Sequence, residues 1–237
     1  MNTVLDLPRF YFPEAGEDKE WTLDADENKH VKVLRLQTGD MVHVIDGRGG
    51  LWSASINPDK RHSTIRVGEC LVQETDDDRK LTLAVAPTKN MGRFEWVIEK
   101  AVELGVKEII PIQCEHSERV HLKTDRLNRI ALSAMKQSKG LWLPVIHELT
   151  PFQDALDHQV DLKWIAHCLE SKPRVAIDQL NSGRNQIVCI GPEGDFSETE
   201  VHLAETAGFQ SISLGNRRLR TETAAIAACI ASNLFAS

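Results

Sequence analysis

Apolar and polar residues alternate in the segment from residue 41 to residue 72. The runs MVHVID, LWSASI and TIRVGECLV are separated by a glycine-rich turn at 47–50 and by a polar break at 57–63. A period of two between turn residues is typical of half-buried strands. The pattern therefore predicts a meandering antiparallel barrel or sheet.

Beyond an acidic stretch at 74–78, strands alternate with helices. In the helix that follows the strand LTLAVAP, the apolar residues recur every three or four positions and fall on one face. Such alternation predicts an α/β domain with a mostly parallel sheet covered on both faces. The acidic stretch marks the expected boundary, with domains at 1–74 and 78–237. Further strands are predicted at KEIIPI, LPVI, LKWIAHCL, IVCI and SISL, and further helices at about 125–139, after Pro151, after Ser197 and at 222–234.

Cysteine and histidine spacing argues against a metal site. The five cysteines are widely spaced and form no C-x-x-C pair, and the nine histidines give no ligand motif. The cysteines are interpreted as buried thiols, and we expect no metal.

The formal net charge of −7 requires any RNA site to be a local basic patch, because phosphate binding needs positive potential. The candidate basic groups are Arg9; Lys29, Lys32 and Arg35; and Arg217, Arg218 and Arg220.

The apolar run at 224–231 falls far short of the about 20 residues that cross a bilayer, and the first twenty residues resemble no secretory signal. We expect a cytoplasmic protein.

The segment IGPEGDFSETE, residues 190–200, places a Gly-Pro-Glu-Gly turn between a buried strand and a helix start. Ser197 and Glu200 have the spacing of a capping box. Open α/β sheets bind ligands at such strand ends, although a plain connecting turn has the same spacing. No phosphate-loop motif is present, so nucleoside triphosphate binding has little support.

The segment LGNRRLRTETA, residues 214–224, follows the next predicted strand. Its three arginines provide a positive site suited to phosphate or to a polarised carbonyl. The alanine-rich helix behind it fits core packing and a dimer interface equally well.

Together these two segments closely resemble the C-terminal signature of the bacterial small-subunit ribosomal RNA uridine N3-methyltransferases, the RsmE family of the SPOUT superfamily. The resemblance extends to HVKVLRLQTGDMVHVIDGRGG (30–50) and KNMGRFEWVIEKAVELGVKEIIPIQCEHSE (89–118), and so covers nearly the whole chain. It implies an N-terminal PUA-like β-barrel, a C-terminal SPOUT α/β domain with a deep trefoil knot, and a homodimer. The implied activity is transfer of a methyl group from S-adenosylmethionine to N3 of a uridine in small-subunit ribosomal RNA.

The resemblance also implies the site residues. Gln137 is carried over as a possible RNA-binding residue. Asp195 departs from the usual G-P-E-G-G, and an arginine expected near Gly140 is absent. The implied cofactor-binding residues are Leu169, Glu170, Gly191, Glu193, Gly194, Leu214, Leu219, Arg220 and Thr221.

Two roles follow as hypotheses. Arg220 is the expected catalytic residue, because a cation beside the uracil carbonyls would stabilise the charge left when N3 loses its proton. Arg9, Lys32 and Arg35 are the expected RNA-gripping residues. Neither Glu193 nor Glu222 is identified as the general base, since each has a structural interpretation.

Two alternatives stay open at this point. One is a noncatalytic RNA-binding ribosome assembly factor, supported by the departures at Asp195 and Gly140. The other is a SPOUT methyltransferase that acts on another RNA, because such enzymes share the cofactor loops.

Overall fold

The structure is a computed structural model that describes residues 7–76, 79–169, 173–180 and 183–233. It divides into two compact units. One consists of the chain up to Asp76 together with Lys139–Trp142, and the other consists of the remainder.

The first unit contains a five-stranded sheet with strand order β1-β3-β4-β5-β2. Strands β3, β4 and β5 form the predicted antiparallel meander, and β2 adds an antiparallel edge, whereas β1 pairs with β3 in parallel. Alternate strand positions bury one face against helix α1 through Val31. The elements are β1 (Arg9–Tyr11), β2 (Glu20–Thr22), α1 (Ala25–Leu34), β3 (Met41–Ile45), β4 (Gly50–Asn57) and β5 (Thr64–Gln73).

A short segment from later in the chain completes this unit. The Gly49 amide donates to the carbonyl of Leu141 at 3.0 Å, and Arg48 forms an antiparallel bridge with Trp142. The Arg9 guanidinium donates to the carbonyl of Lys139. Residues 139–142 therefore pack with the N-terminal sheet, which the periodicity of the sequence does not predict.

The second unit contains a parallel sheet with strand order β11-β13-β10-β12-β6-β7-β8, and β9 pairs with β7. The strand pairings described in it are all parallel, and the prediction was a mostly parallel sheet. Its strands are β6 (Leu81–Val85), β7 (Glu108–Gln113), β8 (Val145–Ile146), β9 (Thr150–Pro151), β10 (Leu162–Ala166), β11 (Val175–Ala176), β12 (Gln186–Ile190) and β13 (Gln210–Ser213). Its helices are α2 (Met91–Glu103), α3 (Thr124–Gln137), α4 (Phe152–Ala155), α5 (Glu198–Thr206) and α6 (Thr221–Asn233), with a 3-10 turn at Ile177–Leu180.

Helices cover both faces of this sheet. On one face, Phe152 of α4 and Val201 of α5 pack with Ala84, Ile110 and Ile187 in one buried cluster. On the other, α6 packs against β6 and β12, and α2 packs against α3 and α6. The capping box predicted at the start of α5 is present, since the Ser197 hydroxyl accepts from the Glu200 amide and the Glu200 carboxylate accepts from the Ser197 amide.

The cysteine interpretation holds for three residues and is wrong for two. Cys114, Cys189 and Cys229 are buried, whereas Cys70 and Cys168 are exposed. Cys70 lies among outward-facing residues near the end of β5, and Cys168 lies two residues beyond β10 on an open cavity. All five are free thiols.

Candidate active site

An open cavity of about 610 Å3 lies at the carboxyl ends of the neighbouring strands β13, β10 and β12. It is lined by residues 166–168 after β10, by the turn that begins at residue 190 after β12, and by residues 212–221 after β13. Parallel sheets characteristically bind ligands at this edge. Both glycine turns singled out in the sequence therefore face one cavity.

A side-chain hydrogen bond connects these two turns. The hydroxyl of Thr221, which is buried at the start of α6, donates to the carbonyl oxygen of Gly191 at 3.0 Å. A side chain at 191 would crowd Phe196, because an added Cβ would lie 3.0–3.2 Å from its ring and amide. In the second turn, Gly215 has a φ of 127°, which disfavours other residues.

Glu193 lines the cavity, but its carboxylate has a structural partner. Oε1 accepts a 3.0 Å hydrogen bond from the amide of Lys89, and the Lys89 carbonyl accepts one of 2.8 Å from Arg119. Glu193 thus holds the segment that precedes α2. The Glu222 carboxylate also has a partner, because its side chain is 13% exposed and one of its oxygens lies 3.5 Å from the guanidinium of Arg93.

The loop after β10 is fixed by His167, which is 4% exposed. The Leu169 amide donates to its Nδ1 at 3.2 Å, so Nδ1 is unprotonated and Nε2 donates to the Ser211 hydroxyl at 2.9 Å. The His167 carbonyl accepts a 2.7 Å hydrogen bond from Arg174. Sequence reasoning missed this residue because the strand predicted at LKWIAHCL included it, whereas β10 ends at Ala166.

Asp195 also lines the cavity and touches the same loop. Its Oδ2 accepts from the Cys168 amide at 2.8 Å, and its Oδ1 accepts from the Phe196 amide at 2.8 Å. Its carbonyl accepts from His116 Nδ1 at 3.0 Å. The Asp195 backbone has a φ of 68°.

Charges of both signs surround the cavity. Glu193 and Asp195 provide negative groups, and four arginines provide positive ones. Burial raises the pKa of the Cys168 thiol, and the Asp195 carboxylate raises it further, whereas the arginines at 218 and 174 act in the opposite direction. The four arginines on the cavity are Arg174, Arg217, Arg218 and Arg220.

Most of the cofactor-binding residues implied by the resemblance line this cavity, but two do not. Leu169 packs against the apolar core instead. Gly194 lies against His116, since a Cβ added at position 194 would be 2.9 Å from the His116 Cβ. Glu170 lies outside the described residues. The residues that do line the cavity are Gly191, Glu193, Leu214, Leu219, Arg220 and Thr221.

The residues expected to bind RNA lie in different elements. Arg9 is in β1, and Lys32 in α1 donates to the Lys60 carbonyl at 2.9 Å. Arg35 is an exposed C-cap with a φ of 55°, and Gln137 ends α3.

Across residues 7–76, 79–169, 173–180 and 183–233, no group of three or more His, Cys, Asp or Glu residues could hold a metal ion. In the same ranges, no helix is long and apolar enough to cross a membrane.

Two family models match the chain. One, described as an RNA methyltransferase domain, matches residues 75–233, and the other, an RNA methyltransferase PUA domain, matches residues 23–68. Their order agrees with the predicted order of an RNA-binding domain before an α/β catalytic domain.

Individual proteins give the same result. A ribosomal RNA small subunit methyltransferase E of Synechocystis is 33% identical over 81% of this chain, and the match spans 65% of that relative. A probable rRNA-methyltransferase from Porphyromonas gingivalis has a similar crystal structure, with 41% identity, 94% and 95% coverage of the two chains and a TM-score of 0.86.

A ribosomal RNA small subunit methyltransferase E from Neisseria gonorrhoeae has been solved bound to S-adenosyl methionine. It is 30% identical, with 95% and 96% coverage and a TM-score of 0.79. The chain therefore belongs to the RNA methyltransferase family, among the ribosomal RNA small subunit methyltransferases E.

Proposed function

We propose that this protein transfers a methyl group from S-adenosylmethionine to N3 of a uridine in small-subunit ribosomal RNA. The observation that carries the proposal is that both signature turns line one cavity. The hydrogen bond from Thr221 to Gly191 connects the two turns. Family membership supports the same reaction.

The cavity suits the cofactor in size and chemistry. Its volume of about 610 Å3 falls within the range of about 300–1,000 Å3 that small-molecule sites occupy. Apolar residues such as Ile190, Ile212 and Leu214 can face an adenine. The carboxylates and the four arginines of the lining suit a ligand that, like S-adenosylmethionine, carries charges of both signs. S-adenosylmethionine supplies the electrophilic methyl group and the leaving group for an in-line displacement.

Arg220 is the proposed catalytic residue. It is exposed on the cavity, and its carbonyl accepts from the Ala224 amide at 2.8 Å, which fixes its backbone at the start of α6. A guanidinium there can stabilise negative charge on the uracil carbonyl oxygens as N3 is deprotonated. Positioning of N3 against the methyl group contributes the rest of the rate enhancement.

Neither nearby carboxylate is proposed as the general base. The Glu193 oxygen is engaged by the Lys89 amide, and Glu222 is largely buried beside Arg93. Both therefore serve the fold of the site. We assign removal of the N3 proton to solvent.

RNA binding is proposed for Arg9, Lys32, Arg35 and Gln137. The target base has to leave its stack to reach a methyl donor, which calls for a separate surface that grips the RNA. Arg35 and Gln137 are exposed, and Lys32 retains donors beyond its hydrogen bond to Lys60.

The same proposal includes the deep trefoil knot, a homodimer and action in the cytoplasm. The knot and the dimer are supported by the resemblance to the SPOUT superfamily. Light scattering of the purified protein tests the dimer.

Mass mapping of small-subunit ribosomal RNA from cells with and without the gene tests the reaction. We expect one methylated uridine to disappear with the gene and to return when the purified protein and S-adenosylmethionine are added. An unchanged modification map, or return of a methyl group on another base or another RNA, would reject the proposal.

A further inference from the structure

We propose that Asp195 is a positioning residue that fastens the loop after β10 to the turn after β12 and so forms one wall of the cofactor cavity. The proposal rests on the function proposed above. It is carried by the geometry of the Asp195 carboxylate and by the conformation of its backbone.

Both carboxylate oxygens of Asp195 accept backbone hydrogen bonds. Oδ2 accepts from Cys168, which lies 27 residues earlier, and Oδ1 accepts from Phe196, each at 2.8 Å. The first bond spans from β12 to the neighbouring β10, so it fixes the separation of two loops that line the cavity. Together with the Thr221 to Gly191 bond, it connects all three segments of the cavity wall.

The backbone indicates that the side chain has a role here. Asp195 has a φ of 68°, a conformation that glycine adopts without strain and that other residues rarely adopt. An aspartate occupies a position where glycine would fit the backbone better. Its two hydrogen bonds provide a compensating interaction that glycine cannot make.

The fixed loop presents Cys168 to the cavity. Cys168 is exposed, and the residues on either side of it are held independently, since the Leu169 amide donates to His167 and the His167 carbonyl accepts from Arg174. The Asp195 bond is thus directed at a residue of this loop that both lines the cavity and is exposed. Its loss would let Cys168 move relative to the turn at 191–195.

Two substitutions separate the carboxylate from the backbone conformation. Asp195→Gly keeps the favourable φ and removes both acceptors, whereas Asp195→Asn tolerates the same φ and keeps one acceptor. If the hydrogen bonds matter, the dissociation constant for S-adenosylmethionine should rise about threefold in D195N and about tenfold in D195G. If only backbone strain mattered, D195G would bind at least as tightly as the wild type.

Alkylation of Cys168 provides a readout that needs no cofactor. Both variants lose the carboxylate charge that raises the pKa of the Cys168 thiol, so the comparison between them isolates the hydrogen bonds. Iodoacetamide labelling followed by peptide mass spectrometry should show Cys168 reacting faster in D195G than in D195N. Cys70 is an exposed thiol in the other unit and serves as the internal reference. Asp161→Asn removes the same charge from an exposed residue at the opposite end of β10 and should leave both readouts unchanged.

The outcomes separate the two proposals. A wild-type dissociation constant in D195G together with equal Cys168 rates in D195N and D195G, with both thermal midpoints retained, would overturn the positioning role. Failure of the wild-type protein to bind S-adenosylmethionine would reject the proposed function, while the order of the alkylation rates would still decide whether Asp195 holds the loop.

Discussion

The Thr221 hydroxyl donates a 3.0 Å hydrogen bond to the carbonyl oxygen of Gly191, across 30 residues of sequence. Thr221 is the first residue of α6, and Gly191 directly follows β12. This single bond joins the two signature segments, each of which would otherwise be an ordinary strand-to-helix connection. The cavity therefore depends on a buried polar contact as well as on the sheet.

Thr221→Val should weaken that contact while keeping the shape of the side chain. The buried Gly191 carbonyl loses its donor, which costs about 1–3 kcal/mol. We expect the free energy of unfolding in urea to fall by that amount and the dissociation constant for S-adenosylmethionine to rise about tenfold. Thr221→Ser keeps the hydroxyl and is the control; equal behaviour of the two variants would show that the hydrogen bond contributes nothing.

Glu193 provides a test of the general-base question. Glu193→Gln keeps an oxygen that can accept from the Lys89 amide but removes the basic carboxylate. Because its role is structural, we expect kcat to stay within about threefold of the wild-type value, a change of less than about 1 kcal/mol. Glu193→Ala removes the acceptor and should lower kcat and stability together. A loss of about a hundredfold or more in E193Q alone, typical of a missing general base, would contradict this assignment.

Arg220 should act on the transition state more than on the cofactor. Arg220→Ala removes the cation beside the uracil carbonyls, so we expect kcat to fall by about a hundredfold to a thousandfold. The dissociation constant for S-adenosylmethionine, measured by calorimetry, should change little. The matched control is Arg129→Ala, which removes an exposed arginine of α3 that donates to the Asp125 carbonyl of its own helix. Full turnover in R220A with normal cofactor binding would remove Arg220 from the mechanism.

Local patterns predicted most strands and most helices, whereas the short strands β1, β2, β9 and β11 were missed because two or three residues show no periodicity. The resemblance, and not the local pattern, indicated that the two glycine turns share one cavity. Helix α1 was missed because it is largely polar, with only Asn28 and Val31 buried, so that it lacks an apolar stripe. It is recognisable instead by its cap, since Asp24 accepts from the Asp26 and Glu27 amides.

Contacts between distant residues could not be predicted in this way. The Asp195 to Cys168 bond and the packing of 139–142 with the first sheet each join residues far apart in sequence. No spacing rule refers to such pairs. The proposed knot belongs to the same class, because threading of a chain is an exception to the topology rules and leaves no periodicity.

The proposed RNA-gripping residues can be tested by charge reversal. Lys32→Glu and Arg35→Glu should each weaken RNA binding, because each removes a phosphate contact and adds repulsion. The slope of log affinity against log salt should become shallower by about 0.7 to 0.9 for each lost contact. Calorimetry with S-adenosylmethionine should give the wild-type value. Lys29→Glu reverses a charge on the same helix that already pairs with Asp26, 3.0 Å away, and should have a smaller effect. Unchanged RNA affinity in both first variants would reject this surface.

The three buried thiols predict a loss of stability at alkaline pH. Burial is the main cause that raises the pKa of Cys114, Cys189 and Cys229, the last to about 12. A cysteine in the unfolded chain titrates near a pKa of about 8.5. Below that pH the thiols are protonated in both states, and above it only the unfolded chain loses protons. The free energy of unfolding should therefore fall as pH rises from about 8.5 towards the folded pKa.

The expected loss is about 1 kcal/mol for each thiol at pH 9.5 relative to pH 7.5. Urea unfolding under reducing conditions at several pH values measures it. Cys189→Ala lacks one of the three groups and should lose less stability over the same interval, whatever its stability at pH 7.5. Cys70→Ala removes an exposed thiol and should follow the wild-type curve, apart from a small offset. A C189A curve parallel to that of the wild type would show that the buried thiols are not what makes stability depend on pH in this range.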